Sequence, residues 1–391
     1  MTRRIATLAV ALLLAVLTRT SAHAEPRLPT GPHDPPEVEK LYEQKPVIEL
    51  VTMGIGSLFW ERHGHIALCV HYDNPRDDVC YNYGVGDFQH PIGMAWGFLR
   101  AGGSFWVAKT SVPEMLWVYR HTDRTIWMQP LPLTPEEKQK VIAKLEHDIL
   151  EPNKYYAYDH FWDNCTTRVR DIIDDATGGK LRAMHETTDG RTYRDLARDG
   201  FLGMRGLLLI TDIAMGRVTD RIPSYWERMF LPQYLREAVH QLWNIEPIVG
   251  YERKGAPPLS EGPSGRVWLA LLILVLTSPA WITRRIGRFQ RTGLAIAVLP
   301  YLLLGTVLTF LAIISPLPYL RWNETCLVWL PLDVLLLIWS GERQRMYARG
   351  RLIMLGAMVL LQLVGVLTQP LLAPMLWPAI PLAAVAFLRR P

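Results

Sequence analysis

The chain has 391 residues, 49% of them hydrophobic, with 14 tryptophans, four cysteines and a formal charge of +5. That is long enough for one globular domain and a bundle of membrane spans. The positive charge is accounted for by arginine-rich loops between apolar runs, which removes the need for a nucleic-acid partner, and no internal repeat, nucleotide-binding glycine pattern or metal-ligand cluster appears, so no cofactor is expected.

In chain order, Arg3-Arg4, an apolar run from Ile5 to Leu17 and Ala22-His23-Ala24 predict that residues 1–24 are a secretory signal peptide or an uncleaved N-terminal anchor. Either way, the chain just downstream of it is exported. Residues 25–45 are rich in proline and charge and read as an extended leader. The globular part is expected over 46–243. Gly64 to Tyr72 alternates, with Ile66, Leu68 and Val70 on one side and His65, Ala67, Cys69 and His71 on the other, the pattern of a half-buried strand. Val79 to Tyr83 comes next as a second strand after a turn-rich stretch. A hairpin centred near Asn74 and Pro75 sets Cys69 opposite Cys80 and Asn82 diagonal to His65 on one face, although Asn-Pro is a poor two-residue turn and a longer loop shifts the register by one. In an oxidising compartment Cys69 and Cys80 are either a cross-strand disulfide or two buried thiols.

Phe105 to Thr110 and Thr125 to Leu131 suggest further strands, which makes the domain α+β. Thr134-Pro135-Glu136-Glu137 has the cap, the first-turn proline and the acidic third position of a helix start, and predicts a helix over Pro135 to Leu150. The most informative stretch is Asp163-Asn164-Cys165-Thr166-Thr167, placed between an aromatic run and an amphipathic segment from Val169 to Ala176. It reads as a cysteine at the first turn of a helix, where unpaired N–H groups and the positive dipole end favour a thiolate. Such a cysteine is either a small buried hydrophobe or, with a histidine such as His65 beside it, a nucleophile; the polar, arginine-bearing surroundings point to the second.

Gly64-His65-Ile66-Ala67-Leu68, Tyr81-Asn82-Tyr83-Gly84 with Asp87-Phe88, and Tyr158-Asp159-His160-Phe161-Trp162-Asp163-Asn164-Cys165-Thr166-Thr167-Arg168, in this order, resemble the Lnb N-terminal periplasmic domain family. The resemblance implies a circularly permuted papain-like fold in the manner of lecithin:retinol acyltransferase, with the strand histidine preceding the helix cysteine. It implies lipoprotein N-acyl transfer: an acyl chain passes from phospholipid, or from the lipoprotein's own lipid, to Cys165 and then to the α-amine of a lipoprotein's N-terminal cysteine. In that chemistry His65 is the expected base, and Asn82, from its place diagonal to it, the residue expected to orient it. Asp159 and Arg168 are expected to be structural, with Arg168 pairing Asp171 or a phosphate.

Residues 244–265 are Gly-, Pro- and charge-rich and read as a linker, followed by a transmembrane domain over 266–391. Five apolar runs, Val267 to Ile282, Gly293 to Ile314, Cys326 to Trp339, Leu352 to Leu367 and Leu371 to Leu388, give four or five spans. Arg284, Arg285, Arg288 and Arg291 fill one loop and Arg343, Arg345, Arg349 and Arg351 another, so those loops are cytoplasmic and the globular domain periplasmic on the bacterial inner membrane. Two other functions use the same residues differently. A cell-wall peptidase or amidase of the NlpC-like class shares the cysteine and histidine but needs no bundle of spans, and a non-catalytic sensing module on a membrane anchor needs neither side chain.

Overall fold

The structure is a computed structural model describing residues 38–87, 89–102, 105–185, 189–256 and 265–388. The expected signal segment lies outside these residues, as do the first residues of the leader; the rest of the leader holds a helix, Val38–Glu43. The chain divides into two compact units, one of Pro26–Phe201 with Ile222–Ser260, the other of Leu202–Arg221 with Glu261–Pro391.

The first unit is built on seven strands: β1 (Val47–Met53), β2 (His65–His71), β3 (Val79–Gly86), β4 (Phe105–Ser111), β5 (Ile126–Pro130), β6 (Tyr155–Tyr156) and β7 (Ile248–Tyr251). They form one antiparallel sheet in the order β6-β4-β3-β2-β1-β5-β7. The α+β expectation holds, and part of the stretch read as a linker is edge strand β7. Alternation along the strands creates two buried faces. Ile48, Leu50, Ile66, Leu68, Tyr81 and Tyr83 pack with Val141, Leu145, Val169, Ile173 and Leu235 from three helices, Pro135–Asp148, Cys165–Ala176 and Pro232–Trp243. Val51, Met53, Ala67, Cys69 and Cys80 pack on the other face with Met115 of the helix Val112–His121. Covered on both faces, β1 is buried along its whole length, Glu49 included, whose carboxylate is paired by Tyr42 and His71.

The β2–β3 register sets Cys69 opposite Cys80, and the two are disulfide-bonded. The connection is a loop with a short 3-10 turn at Pro75–Asp77 rather than a two-residue turn, and Asn74 caps that turn through Arg76 N–H. The predicted helix at Pro135 begins where expected, with Thr134 and Glu137 exchanging capping hydrogen bonds of 3.2 and 2.8 Å.

In the second unit three helices, Gly265–Ile286, Gln290–Ile314 and Gly341–Leu363, are long and apolar enough to cross a membrane, and a shorter apolar helix covers Leu372–Phe387. The run Cys326 to Trp339 is not one helix. It breaks into Thr325–Val328, a 3-10 turn Pro331–Val334 and Leu335–Ile338. Pro331 lacks the N–H that would reach the Leu327 carbonyl in a continuing helix, and Arg351 serves the broken turn instead, with Nη1 3.5 Å from Leu327 O and Nη2 donating to Val328 O at 2.8 Å. Arg351 is therefore no loop charge: with Arg343, Arg345 and Arg349 it lies inside the helix Gly341–Leu363, and it pairs fully buried Asp333 at 2.7 and 3.1 Å. Tyr347 and Tyr301 hydroxyls donate to the same carboxylate. Leu202–Arg221 joins this unit through backbone bonds, Gly216 N–H to Tyr319 O and Arg217 N–H to Trp322 O, and through Asn323, whose amide donates to the Ile213 and Ala214 carbonyls.

Candidate active site

The helix Cys165–Ala176 starts where the sequence places it because Asn164 caps it. The Asn164 side chain accepts from the N–H groups of Thr166 and Thr167 at 2.8 and 2.9 Å and donates to the carbonyls of His160 and Phe230 at 2.7 and 2.9 Å. Five short bonds on one residue fix the helix start, since Thr167 Oγ1 also accepts from Asn164 N–H at 2.8 Å. Upstream, Asp159 accepts from the N–H groups of Phe161 and Trp162, folding the aromatic turn. Arg168 forms a bidentate pair with Asp163 at 2.7 and 2.9 Å and covers the Tyr156 ring at 3.8 Å. Its partner is thus Asp163; Asp171 is taken by Arg170.

Cys165 is 8% exposed and packs over β2 and β3. Its sulfur lies 3.8 Å from Thr166 Oγ1. The close fit needs Gly84. The β3–β4 register shifts between Asn82 and Val85, Gly84 takes φ +81°, and a Cβ there would stand 3.4 Å from that of Cys165.

His65 begins β2, near enough to Asn82 for that amide to act on its titration, and the Asn82 amide donates to Thr110 Oγ1 at 3.5 Å. The Tyr119 ring stacks on the imidazole at 6.0 Å, and the Arg124 guanidinium covers the other side of that ring at 4.8 Å from its centroid. Arg124 is 4% exposed; its Nε donates to Gly54 O at 2.8 Å and its Nη1 lies 3.7 Å from Glu61, while Nη2 is buried without a hydrogen-bond partner. Sequence reasoning missed Tyr119 and Arg124. An aromatic and an arginine flanking a turn carry no pattern of their own, and only the packing of Val112–His121 across the sheet brings them to His65.

The electrostatics differ from the thiolate expected at a helix start. Burial pushes the Cys165 thiol above its ordinary range, although N–H groups of Thr166 and Ile66 pull the other way. Burial also pushes the His65 imidazole down to about 4, helped by the charge of Arg124 and opposed by Asn82. Among the described residues no hydrogen bond joins Cys165 to His65. At rest both side chains are neutral: Cys165 packs with Ile66 and Leu68 on one face of the sheet, whereas His65, opposite Met53 at the start of β2, alternates with Ala67 and Cys69 of the other face. Among the described residues no group of three or more His, Cys, Asp and Glu side chains is placed to hold a metal ion.

Compared with known proteins, residues 39–199 match the family described as the Lnb N-terminal periplasmic domain. No curated protein and no solved structure matches the chain. The matched segment contains both strands of the hairpin, the Tyr119–Arg124 pair and the whole Cys165 helix. Among the described residues, the helices long and apolar enough to cross a membrane come after it in the chain, which makes this a membrane protein with a periplasmic domain.

Proposed function

With residues 39–199 belonging to the Lnb N-terminal periplasmic domain family, we propose that the protein is a thiol acyltransferase that N-acylates bacterial lipoproteins at the inner membrane. His65 takes the Cys165 proton as sulfur attacks an ester carbonyl of a phospholipid; the C–S bond forms, the ester C–O bond breaks, and the proton passes from His65 to the lysophospholipid oxygen. The α-amine of a lipoprotein's N-terminal cysteine then attacks the thioester, giving its proton to His65, and the amide forms as the C–S bond breaks and the thiol is restored. Asn82, on the neighbouring strand and near enough to act on the imidazole, is the residue that positions His65. Backbone N–H groups around the sulfur are the donors available to the tetrahedral oxyanion. The histidine preceding the cysteine along the chain fits a circularly permuted papain-like order.

The observation that carries this reading is the seat of Cys165 at the Asn164-capped start of its helix, packed over β2 and β3, the strands that carry His65 and Asn82. Exposed Leu58, Phe59 and Trp60 in the β1–β2 connection, beside the start of the His65 strand, suit a lipid-bearing substrate better than a sugar or a peptide. A neutral pair suits an oxygen ester, whose cleavage needs the same imidazole first as base and then as acid. The test is an acyl-thioester on Cys165 after incubation with phosphatidylglycerol vesicles, read by intact-protein mass spectrometry and discharged by hydroxylamine. Its absence in the parent, or its persistence in His65→Ala, would return the peptidase and sensing readings.

A further inference from the structure

One strand beyond His65, on the sheet face that carries Cys165, lies a cavity of about 200 Å³ at the ends of β1 and β5. That is below the roughly 300–1,000 Å³ of sites that enclose a whole drug-sized ligand, so it holds a fragment of one. Its lining includes Thr52, His63, Trp127, Gln233, Arg236 and Arg253, and none of its lining residues is acidic. Arg253 is held by its Nη1 bond to Ile55 O at 3.1 Å, with Asp123 the carboxylate that feels its charge; Arg236 lies over the Trp127 ring at 4.0 Å. Arg62 is close enough to feel the charge of Arg253. Two features show donors waiting for an acceptor. Thr52 is 2% exposed and its hydroxyl has no hydrogen-bond partner, and Arg253 Nε is likewise buried without one. A buried polar atom left unpaired is costly unless a ligand supplies the partner.

We propose that this cavity binds the phosphate of a glycerophospholipid headgroup, with Arg253, Arg236, Gln233 and Thr52 as donors. The proposal rests on the acyltransferase reading for its choice of phosphate bearer. Guanidinium groups match a tetrahedral oxyanion in charge and geometry, and a set of donors without an acidic neighbour in the lining repels a cation or an amine. Position fits as well. Gly64 lines the cavity and precedes His65, Met53 lines it and pairs with His65 across the β1–β2 ladder, and strands are spaced about 4.8 Å apart. A phosphate held here leaves a glycerol backbone able to bring its ester toward Cys165. The helix Pro232–Trp243, whose first residues line the cavity, comes just after Phe230, whose carbonyl accepts from Asn164. The anion site and the helix-start nucleophile therefore share one wall.

The test is calorimetric titration of the full chain in a neutral detergent with sn-glycero-3-phosphate, inorganic phosphate and glycerol. The expected result is saturable binding of glycerophosphate, weaker binding of inorganic phosphate and none of glycerol, with glycerophosphate affinity falling about tenfold in both Arg253→Gln and Thr52→Val. Thr52→Val removes an unpaired hydroxyl, so it should melt at or above the parent temperature while binding less; that combination excludes simple unfolding. Cys165→Ala should bind as the parent does, which separates this site from the chemistry. Binding without any Cys165 thioester would leave the anion site standing and remove the acyltransferase. Thioester formation without binding, equal binding by both variants, or inorganic phosphate binding more tightly than glycerophosphate would overturn the headgroup site.

Discussion

Acidification should destabilise the periplasmic domain through its buried imidazoles, and His63 isolates the effect. Its Nε2 meets Ala197 O at 2.8 Å and its ring packs edge-on to His160 and Phe201, with burial pushing it down to about 4. Because the folded value lies below the unfolded one of about 6.5, the contribution is fully present above pH 6.5 and is lost as pH falls toward 4. The difference of 2.5 units is about 3 kcal/mol, a large share of the 5–15 kcal/mol typical of a domain. His65 adds a loss of the same sign and size. His71 works oppositely: burial pulls it down, but Glu49 and Asp78 at 3.1 and 2.8 Å raise it overall, so its stabilisation is complete below its unfolded value and fades above its folded one. His63→Gln keeps a donor for Ala197 O and removes one titration. Urea unfolding of the full chain, followed by tryptophan fluorescence at pH 7.5, 6, 5 and 4, should show the parent losing about 3 kcal/mol more than the variant. At a slope of about 2 kcal/mol per molar urea, that is a midpoint difference changing by about 1.5 M. Parallel stability curves for parent and variant would refute the assignment of a depressed imidazole at this position.

In the chemistry, His65→Ala should slow acylation of Cys165 by about 10²–10⁴, the ordinary worth of a positioned base, with Asn82→Ala giving a smaller loss recovered in Asn82→Gln; single-turnover thioester formation reads both. Gly84→Ala should cost about 1–2 kcal/mol for its left-handed backbone and slow acylation by shifting the turn under Cys165, whereas an unchanged thioester rate would show that the bulge does not shape the nucleophile's seat. Alkaline phosphatase fused after Leu242 should be active and a fusion at Arg288 inactive, and the reverse pattern would overturn the periplasmic placement of the catalytic unit.

By itself the sequence determined what local rules control. Asn164 before Cys165 specified a capped helix start, Thr134-Pro135 specified another, and alternation from Ile66 to Val70 specified a strand whose hairpin partner brings Cys80 to Cys69. These arise from neighbouring residues satisfying each other's backbone groups, so they are readable over a few positions. Features that depend on long-range packing were decided only by the tertiary structure. Burial, which depends on every element covering the site, outweighs the helix-start field at Cys165 and holds His65 neutral. Tyr119 and Arg124 reach His65 across the sheet, and Ile248–Tyr251, a short apolar run inside a Gly-, Pro- and charge-rich stretch, becomes a strand because β5 offers it an open edge. The apolar run after Cys326 looked like a span because hydropathy ignores partners; Pro331 and the Asp333–Arg351 pair, 18 residues apart in the chain, make it a broken turn held by side chains.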